Sequence, residues 1–287
     1  MNPLPKLGLF GLLLLAVLGG GAAAGSVFGP VDTDDAPAHA THDPEEDPVS
    51  ASTLPAGGLL VSEAGFTFVP ERRTLDAPTF SFTITGPDGQ AVTRYDELHD
   101  RRLHLIVASR DLQQYAHLHP TLASDGTWTV DVPSLPGGSY RAFADFEPTG
   151  GDHLTLGVDL TVPGPAQPPV ALEVSHHDEV AGFEADLTSD ADAGTAVVTV
   201  RRDGQVVTTQ PYLGAAGHLV ALRDGDLAYL HVHPLDEGPA GPVAFGVEYP
   251  SAGRYALFFD FQVDGQVHTA RFVVDSVATE AHGHGGS

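Results

Sequence analysis

The chain of 287 residues is strongly acidic and almost free of sulfur. Thirteen Lys and Arg stand against 38 Asp and Glu, which gives a formal net charge of −25. That balance argues against nucleic acid and anionic membrane surfaces as partners, because both require a basic face, and it favours cations such as metal ions. With no cysteine and no methionine beyond Met1, disulfides, thiolate sites and thioether copper sites are excluded.

The first 31 residues predict an export segment. Lys6 is their only charged residue, and residues 7–18 form an apolar core of signal-peptide length, followed by a small-residue cleavage motif at 22–24. The alternative is a retained anchor, because residues 7–31 carry no charge and are long enough to span a bilayer. A signal peptide or membrane anchor at 1–31 places the remainder outside the cytoplasm, either secreted or held at the cell membrane.

Composition divides the rest of the chain into four parts. Residues 32–57 predict a disordered acidic linker, because the first part of this stretch holds seven acids and no base. Residues 58–163 and 168–277 are separated by a proline-rich connector, and each consists of short β-rich segments typical of a sandwich. Residues 278–287 predict a flexible tail that contains histidine. We expect an all-β protein with two tandem immunoglobulin-like β-sandwich domains, each able to fold alone.

Predicted strands share high β-propensity and boundaries of Gly, Pro or Asp. In the first domain they are Thr79–Thr85, Leu103–Ala108, Thr127–Val132, Ser139–Phe146 and His153–Val162. In the second they are Ala196–Arg201, His218–Arg223, Leu227–His231, Val243–Val247, Arg254–Val263 and Gln266–Asp275.

The two domains repeat one another at an offset of 114 or 115 residues. The recurring pairs are His104 and His218, His117 and His231, His119 and His233, Asp145 and Asp260, and His153 and His268. Repetition at this spacing indicates two copies of one structural unit.

Hairpin geometry brings the repeated histidines together. A two-residue turn at Asp224-Gly225 predicts that His218 lies opposite His231, with His233 on the same face. The same register in the first domain places His104 opposite His117 with His119 alongside, around the less favourable turn sequence Arg110-Asp111. Three imidazoles should therefore converge in each domain.

Three convergent imidazoles suit copper(II) or zinc, since no soft sulfur ligand is present. We propose His153 and His268 as additional ligands, and Asp145 and Asp260 as residues that orient the ligands, although Asp260 could instead join the triplet in place of His268. His99, whose acidic neighbours suit a cation, is a candidate for an extra ligand or an orienting residue in the first domain. A second turn at Asp264-Gly265 places His268 opposite Phe261 and so puts Asp260 on the other face. The alternative is that the histidines are structural, stacked or hydrogen-bonded across strands.

The segments 104–120 and 212–234, with their HLHP and HVHP motifs, resemble a family of exported actinobacterial proteins. That family is described as secreted or heavy-metal-binding and is similar to YtkA-like sandwich domains. The resemblance implies an extracytoplasmic β-sandwich that handles metal, especially copper, through the motif histidines. As a partner it implies an envelope metal-transport or oxidase-assembly protein.

The sequence therefore predicts an extracytoplasmic, non-catalytic metal-binding accessory protein. No Ser-His-Asp order, phosphate-binding loop or HExxH motif points to an enzyme. The alternative is a structural or interaction module of two Ig-like domains, and a redox or hydrolytic metalloenzyme is a third hypothesis. We expect metal ions as partners, no nucleic acid, and membrane contact only through the N-terminal segment.

Overall fold

Strands, rather than helices, form wherever apolar and polar side chains alternate along the chain. The computed structural model describes residues 56–190, 194–235 and 241–276, with only the backbone of His231 and His233. The predicted leader, almost all of the acidic linker and the tail lie outside these residues. Within the described part of the chain, no helix is long and apolar enough to cross a membrane.

The first domain is a sandwich of two antiparallel sheets. One sheet has the order β1-β2-β3-β8-β7, and the other has the order β10-β9-β5-β6 with β4 on β9. Aromatic side chains such as Phe68, Phe82 and Trp128 fill the space between the sheets. The strands are β1 (Ser62–Glu63), β2 (Phe66–Pro70), β3 (Thr79–Thr85), β4 (Tyr95–Asp96), β5 (Leu103–Ser109), β6 (Tyr115–Leu118), β7 (Thr121–Leu122), β8 (Thr127–Asp131), β9 (Gly138–Pro148) and β10 (Leu154–Val162).

The second domain repeats this architecture. Its sheets have the orders β11-β12-β13-β18-β17, with β14 on β13, and β16-β15-β19-β20. Phe183, Phe245 and Phe259 are part of its core. The strands are β11 (His177–Val180), β12 (Phe183–Asp190), β13 (Thr195–Arg202), β14 (Gln205–Val206), β15 (His218–Arg223), β16 (Tyr229–His231), β17 (His233–Pro234), β18 (Pro242–Gly246), β19 (Gly253–Val263) and β20 (Gln266–Ser276). The prediction of two tandem immunoglobulin-like sandwiches is confirmed.

The predicted register of both histidine hairpins is wrong by two residues. His231 lies opposite Val220, and His117 lies opposite Ile106. Each turn is longer than predicted, because the loops comprise residues 110–113 and 224–227. The backbone N–H of Ser109 donates to the carbonyl oxygen of Gln114 across the first loop, and that of Arg223 donates to the carbonyl oxygen of Ala228 across the second, both at 3.0 Å. The side-chain period of a strand is two, so a shift of two leaves every residue on its predicted face.

Two buried leucines account for the longer turns. Leu112 is the third residue of its loop and Leu227 the fourth residue of the other, with φ of 56° and 60°, and neither side chain is exposed to solvent. A left-handed conformation is costly for leucine, and burial of its side chain in an apolar cluster offsets that cost. The predicted two-residue turn at Asp264-Gly265 is confirmed, because Val263 pairs with Gln266.

A third apolar cluster joins the two domains. All seven residues of β5 are buried, whereas β3 alternates between buried and partly exposed positions. The outer face of β5 packs against the second domain, in a cluster that includes Ile106, Phe143, Val220 and Phe258. The domains are therefore not joined by the proline-rich connector alone, as the sequence suggested.

Equivalent residues make reciprocal contacts in this interface. Tyr115 of the first domain stacks on Phe258 of the second, with ring centres 4.1 Å apart and planes 5° from parallel. Tyr229 of the second domain contacts Phe143 of the first, with ring centres 5.6 Å apart. Each tyrosine is the repeat counterpart of the other, and so is each phenylalanine, as expected for two copies of one surface facing each other.

We predict that Phe258→Ala lowers the free energy of unfolding of the full chain by about 3–5 kcal/mol. Phe258 is 2% exposed and would lie on an outer sheet face if the domains were separate. The control Val267→Ala, at a side chain 44% exposed, should change it by less than about 0.5 kcal/mol. Denaturant unfolding measures both. If Phe258→Ala changed the free energy of unfolding as little as Val267→Ala does, the two domains would be separate in solution.

Candidate metal centre

The histidines of the first domain converge on the outer face of its sheet. Leu105 on β5 belongs to the sandwich core, and Leu118 on β6 packs against that core. Because successive side chains of a strand point to opposite faces, their neighbours His104 and His117 face the second domain. His104 Nδ1 lies 2.9 Å from His117 Nε2. One ligand nitrogen from each of His104, His117 and His119 lies within 4.8 Å of the others.

The spacing of these three rings fits a common metal ion. Their centres are 5.1 Å apart for His104 and His117, 5.2 Å for His104 and His119, and 4.9 Å for His117 and His119. Imidazoles bound at about 2.0 Å to one tetrahedral ion would have ring centres about 5.2 Å apart. The triad, as we call these three residues, therefore needs little rearrangement to hold an ion.

Hydrogen bonds direct the lone pairs of two triad rings toward each other. His104 Nε2 is 3.0 Å from the Leu98 carbonyl oxygen and donates to it, while His117 Nδ1 is 2.8 Å from Asp260 Oδ2. If both rings are neutral, each N–H group donates away from the other ring. The unprotonated nitrogens, Nδ1 of His104 and Nε2 of His117, then face each other at 2.9 Å with a lone pair on each. Such a pair repels unless a cation, either a shared proton or a metal ion, lies between the two nitrogens.

His119 supplies the least satisfied nitrogen of the triad. Its Nε2 is buried and has no hydrogen-bond partner among the described residues. A buried polar atom without a partner costs about 1–3 kcal/mol, so it calls for a specific explanation. Ligation of an ion by this nitrogen is one.

Burial keeps His104, His119 and His218 in the neutral, metal-binding form. Desolvation, together with the neighbouring His117, lowers the pKa of His104 to about 3 and that of His119 to about 2. The same two causes lower the pKa of His218 to about 4. Neutral imidazoles at pH 7 require no proton release before they ligate.

His218 of the second domain adjoins the triad. It lies opposite Asp260 in the β15–β19 pairing, and its ring centre is 6.1 Å from that of His104 and 6.0 Å from that of His117. His218 Nε2 is 3.0 Å from the Tyr212 carbonyl oxygen, which repeats the bond of His104 to Leu98. His218, the member of the second predicted cluster whose side chain is described, thus adjoins the first-domain triad.

Asp260, predicted to orient a ligand histidine, contacts a histidine of the other domain. Its carboxylate accepts hydrogen bonds from His117 at 2.8 Å and from Thr269 Oγ1 at 2.5 Å. The side chains of His117 and Asp260 are only 6% and 3% exposed. This contact between a carboxylate and an imidazole is the arrangement that commonly fixes a metal-ligating histidine.

Asp145 contacts His153 rather than the triad. Its Oδ1 is 2.8 Å from His153 Nε2 and 2.6 Å from Thr155 Oγ1. Burial opposes protonation of His153, but the hydrogen bond and charge of Asp145 outweigh burial and raise the pKa of His153. The structure therefore places His153 beside Asp145, which lies opposite His104 in the β5–β9 pairing.

His268 lies apart from the triad. It is opposite Phe261, as predicted, and its ring contacts Phe183 and Phe261 at 4.9 and 5.4 Å between centres. Leu154 lies opposite Phe146 in the first domain, so Leu154 and not His153 is the structural equivalent of His268. The side chains of His231 and His233 are outside the description, so a triad in the second domain stays a prediction.

His99 and Tyr115 border the centre in ways the sequence only partly indicated. His99 lies in the tight turn between Leu98 and Arg101, and its ring centre is 5.1 Å from that of His218. Tyr115 donates a hydrogen bond of 3.4 Å to Asp260 Oδ2. The repeat of Tyr115 as Tyr229, two residues before each motif histidine, was the signal that sequence reasoning missed.

Comparison with solved structures gives tandem domains of the same class. The N-terminal Ig1-2 module of the Drosophila receptor protein tyrosine phosphatase DLAR is 9% identical, with 75% of this chain and 97% of that module covered and a TM-score of 0.20. A two-domain fibronectin type-III segment of chicken tenascin is 11% identical, with 73% and 97% covered and a TM-score of 0.21. Likenesses this low carry no argument about function. The comparison with curated proteins gives no match.

A family model matches the chain twice, at residues 66–164 and 178–278. The two matches together span well over half of the chain, and each covers one β-sandwich. The chain therefore belongs to the family described as Domain of unknown function (DUF8832), and it carries two copies of that domain.

Proposed function

We propose that this protein is a non-catalytic metal-binding accessory protein whose triad holds one divalent transition-metal ion. The observation that carries the proposal is the pair of opposed nitrogens of His104 and His117, 2.9 Å apart, with both N–H groups used elsewhere. The partnerless Nε2 of His119 adds a third donor. An all-nitrogen donor set favours copper(II) or zinc over hard cations that prefer oxygen.

The cellular setting is part of the same proposal. The apolar residues 7–31 support an extracytoplasmic protein, secreted or anchored by its N-terminal segment, and the net charge of −25 supports cations rather than nucleic acid as partners. The resemblance of the HLHP and HVHP motifs to exported metal-handling proteins supports an envelope metal-transport or oxidase-assembly partner.

The second candidate is a structural module in which the histidines only hold the two domains together. The buried bond between His117 and Asp260 favours it, because that bond crosses the domain interface. This candidate has the more direct support, since the interface that it requires is observed while the ion is inferred. The two candidates predict different responses to metal.

We predict that His117→Ala weakens Cu²⁺ binding more than tenfold, because a ligand is lost. Asp260→Asn should weaken it about 10–100-fold, because the ligand is no longer oriented. The control His177→Ala, at a side chain 50% exposed that bonds Asp186, should leave affinity unchanged. Calorimetry on full chains carrying Ala at His39, His42, His282 and His284 removes the contribution of the termini.

The structural candidate predicts another pattern in the same experiment. His117→Ala would lower the free energy of unfolding of the metal-free protein by about 1–3 kcal/mol. Cu²⁺ would raise the melting temperature of neither the wild type nor the variant. Wild-type binding no tighter than about 10 μM would reject the metal-binding proposal.

We predict that the metal-free protein loses stability as pH falls below about 6.5. The unfolded chain then takes up protons on His104 and His218, whereas the folded chain does not until pH about 3 and 4. Each histidine should lower the free energy of unfolding by about 1.4 kcal/mol per pH unit in this window. Urea unfolding between pH 4 and 8 measures the slope. It should become shallower in His218→Gln, and an unchanged slope would contradict the assignment.

A further inference from the structure

The spacing of His218 differs from the spacing within the triad. Its ring centre is 6.0–6.1 Å from those of His117 and His104, whereas the triad rings are 4.9–5.2 Å apart. His218 is, however, only 5.1 Å from His99, with the ring planes at 81°. That separation is what two imidazoles on one tetrahedral ion would have, about 5.2 Å. His99 and His218 therefore form a second pair with ligand spacing.

A small cavity touches this second pair. It has a volume of about 20 Å³, and its lining includes His99, His104, His117, Asp145 and His218. Such a volume admits one water-sized particle, and the lining offers imidazole and carboxylate groups to an ion or a water beside apolar walls that include Leu219 and Val220. Both domains contribute walls, because Tyr229 and Val232 also line the cavity.

The chemistry of His218 matches that of His104. Each ring donates from Nε2 to a turn carbonyl 3.0 Å away, which reserves Nδ1 for another role. Asp145 and Asp260, both buried, each lie opposite one of these histidines in a strand pairing. Their two negative charges reduce the mutual repulsion of two cations held close together.

We propose that the interdomain centre holds two divalent ions side by side, the first on the triad and the second between His99 of the first domain and His218 of the second. This inference rests on the proposed function, which supplies the first ion. The backbone register also gives His231 in β16 the position that His117 has in β6. Because the second ion takes ligands from both domains, it binds only when the domains are docked.

The test counts Cu²⁺ ions and asks whether they are neighbours. Full chains with Ala at His39, His42, His282 and His284 are titrated by calorimetry and examined by electron paramagnetic resonance. Combining His117→Ala with His218→Gln should remove two ions per chain relative to the parent. The parent should show a half-field transition, which arises only from two Cu²⁺ ions a few ångströms apart.

Single variants separate the two ions. His218→Gln keeps an N–H for the Tyr212 carbonyl, and His99→Leu introduces the residue found at the equivalent position, Leu213, so both should fold with melting temperatures near that of the parent. Each should bind one ion fewer, lose the half-field signal and retain the triad ion. His177→Ala should bind as many ions as the parent and keep the signal.

The outcomes are distinguishable. If the combined variant loses only one ion relative to the parent, the two-ion centre is overturned and the proposed function stands. The same holds if the parent binds two ions but shows no half-field signal. Loss of the same single ion in both His117→Ala and His218→Gln also overturns it, in favour of one shared ion. No ion lost in the combined variant overturns both proposals.

Discussion

The interface between the two domains is the constraint on which the rest of the structure depends. An isolated sandwich keeps one face of each sheet in water, but β5, β9, β15 and β19 are covered on both faces. Apolar side chains such as Ile106, Phe143 and Phe258 account for most of this contact. Any polar group on the same faces must then find a partner inside the protein, because water is excluded there.

The histidines and aspartates of the centre are that polar exception. They lie at one end of the buried faces, where His117 reaches Asp260 across the interface and His104 and His218 each donate to a turn carbonyl. Desolvation disfavours the charged imidazole, so the low pKa values of these rings follow from the same burial. One arrangement of packing thus produces both the buried contact between the domains and the low pKa values of His104 and His218.

The internal repeat explains why described residues of both domains meet at the centre. Two copies of one domain that face each other through the same surface bring equivalent residues close to a common axis, as Tyr115 and Tyr229 show by exchanging phenylalanine partners. Separate sites in separate domains would have needed no such contact. The interface between the domains is therefore required by both the structural candidate and the metal-binding proposal, since His117 contacts Asp260 across it.

The sequence by itself determined the β-sandwich class, the repeat, most of the long strands and the sheet face on which His104, His117 and His218 lie. It did so because strand faces alternate with a fixed period, which survives even a register error of two residues. Only the tertiary structure decided that Leu112 and Leu227 lengthen the turns, that His117 pairs with Asp260 of the other domain, and that His268 is apart. These depend on packing between distant segments, which local pattern does not encode. Unbroken apolar runs at residues 105–108 of β5 and 255–259 of β19 are the sequence pattern typical of strands that are buried on both faces.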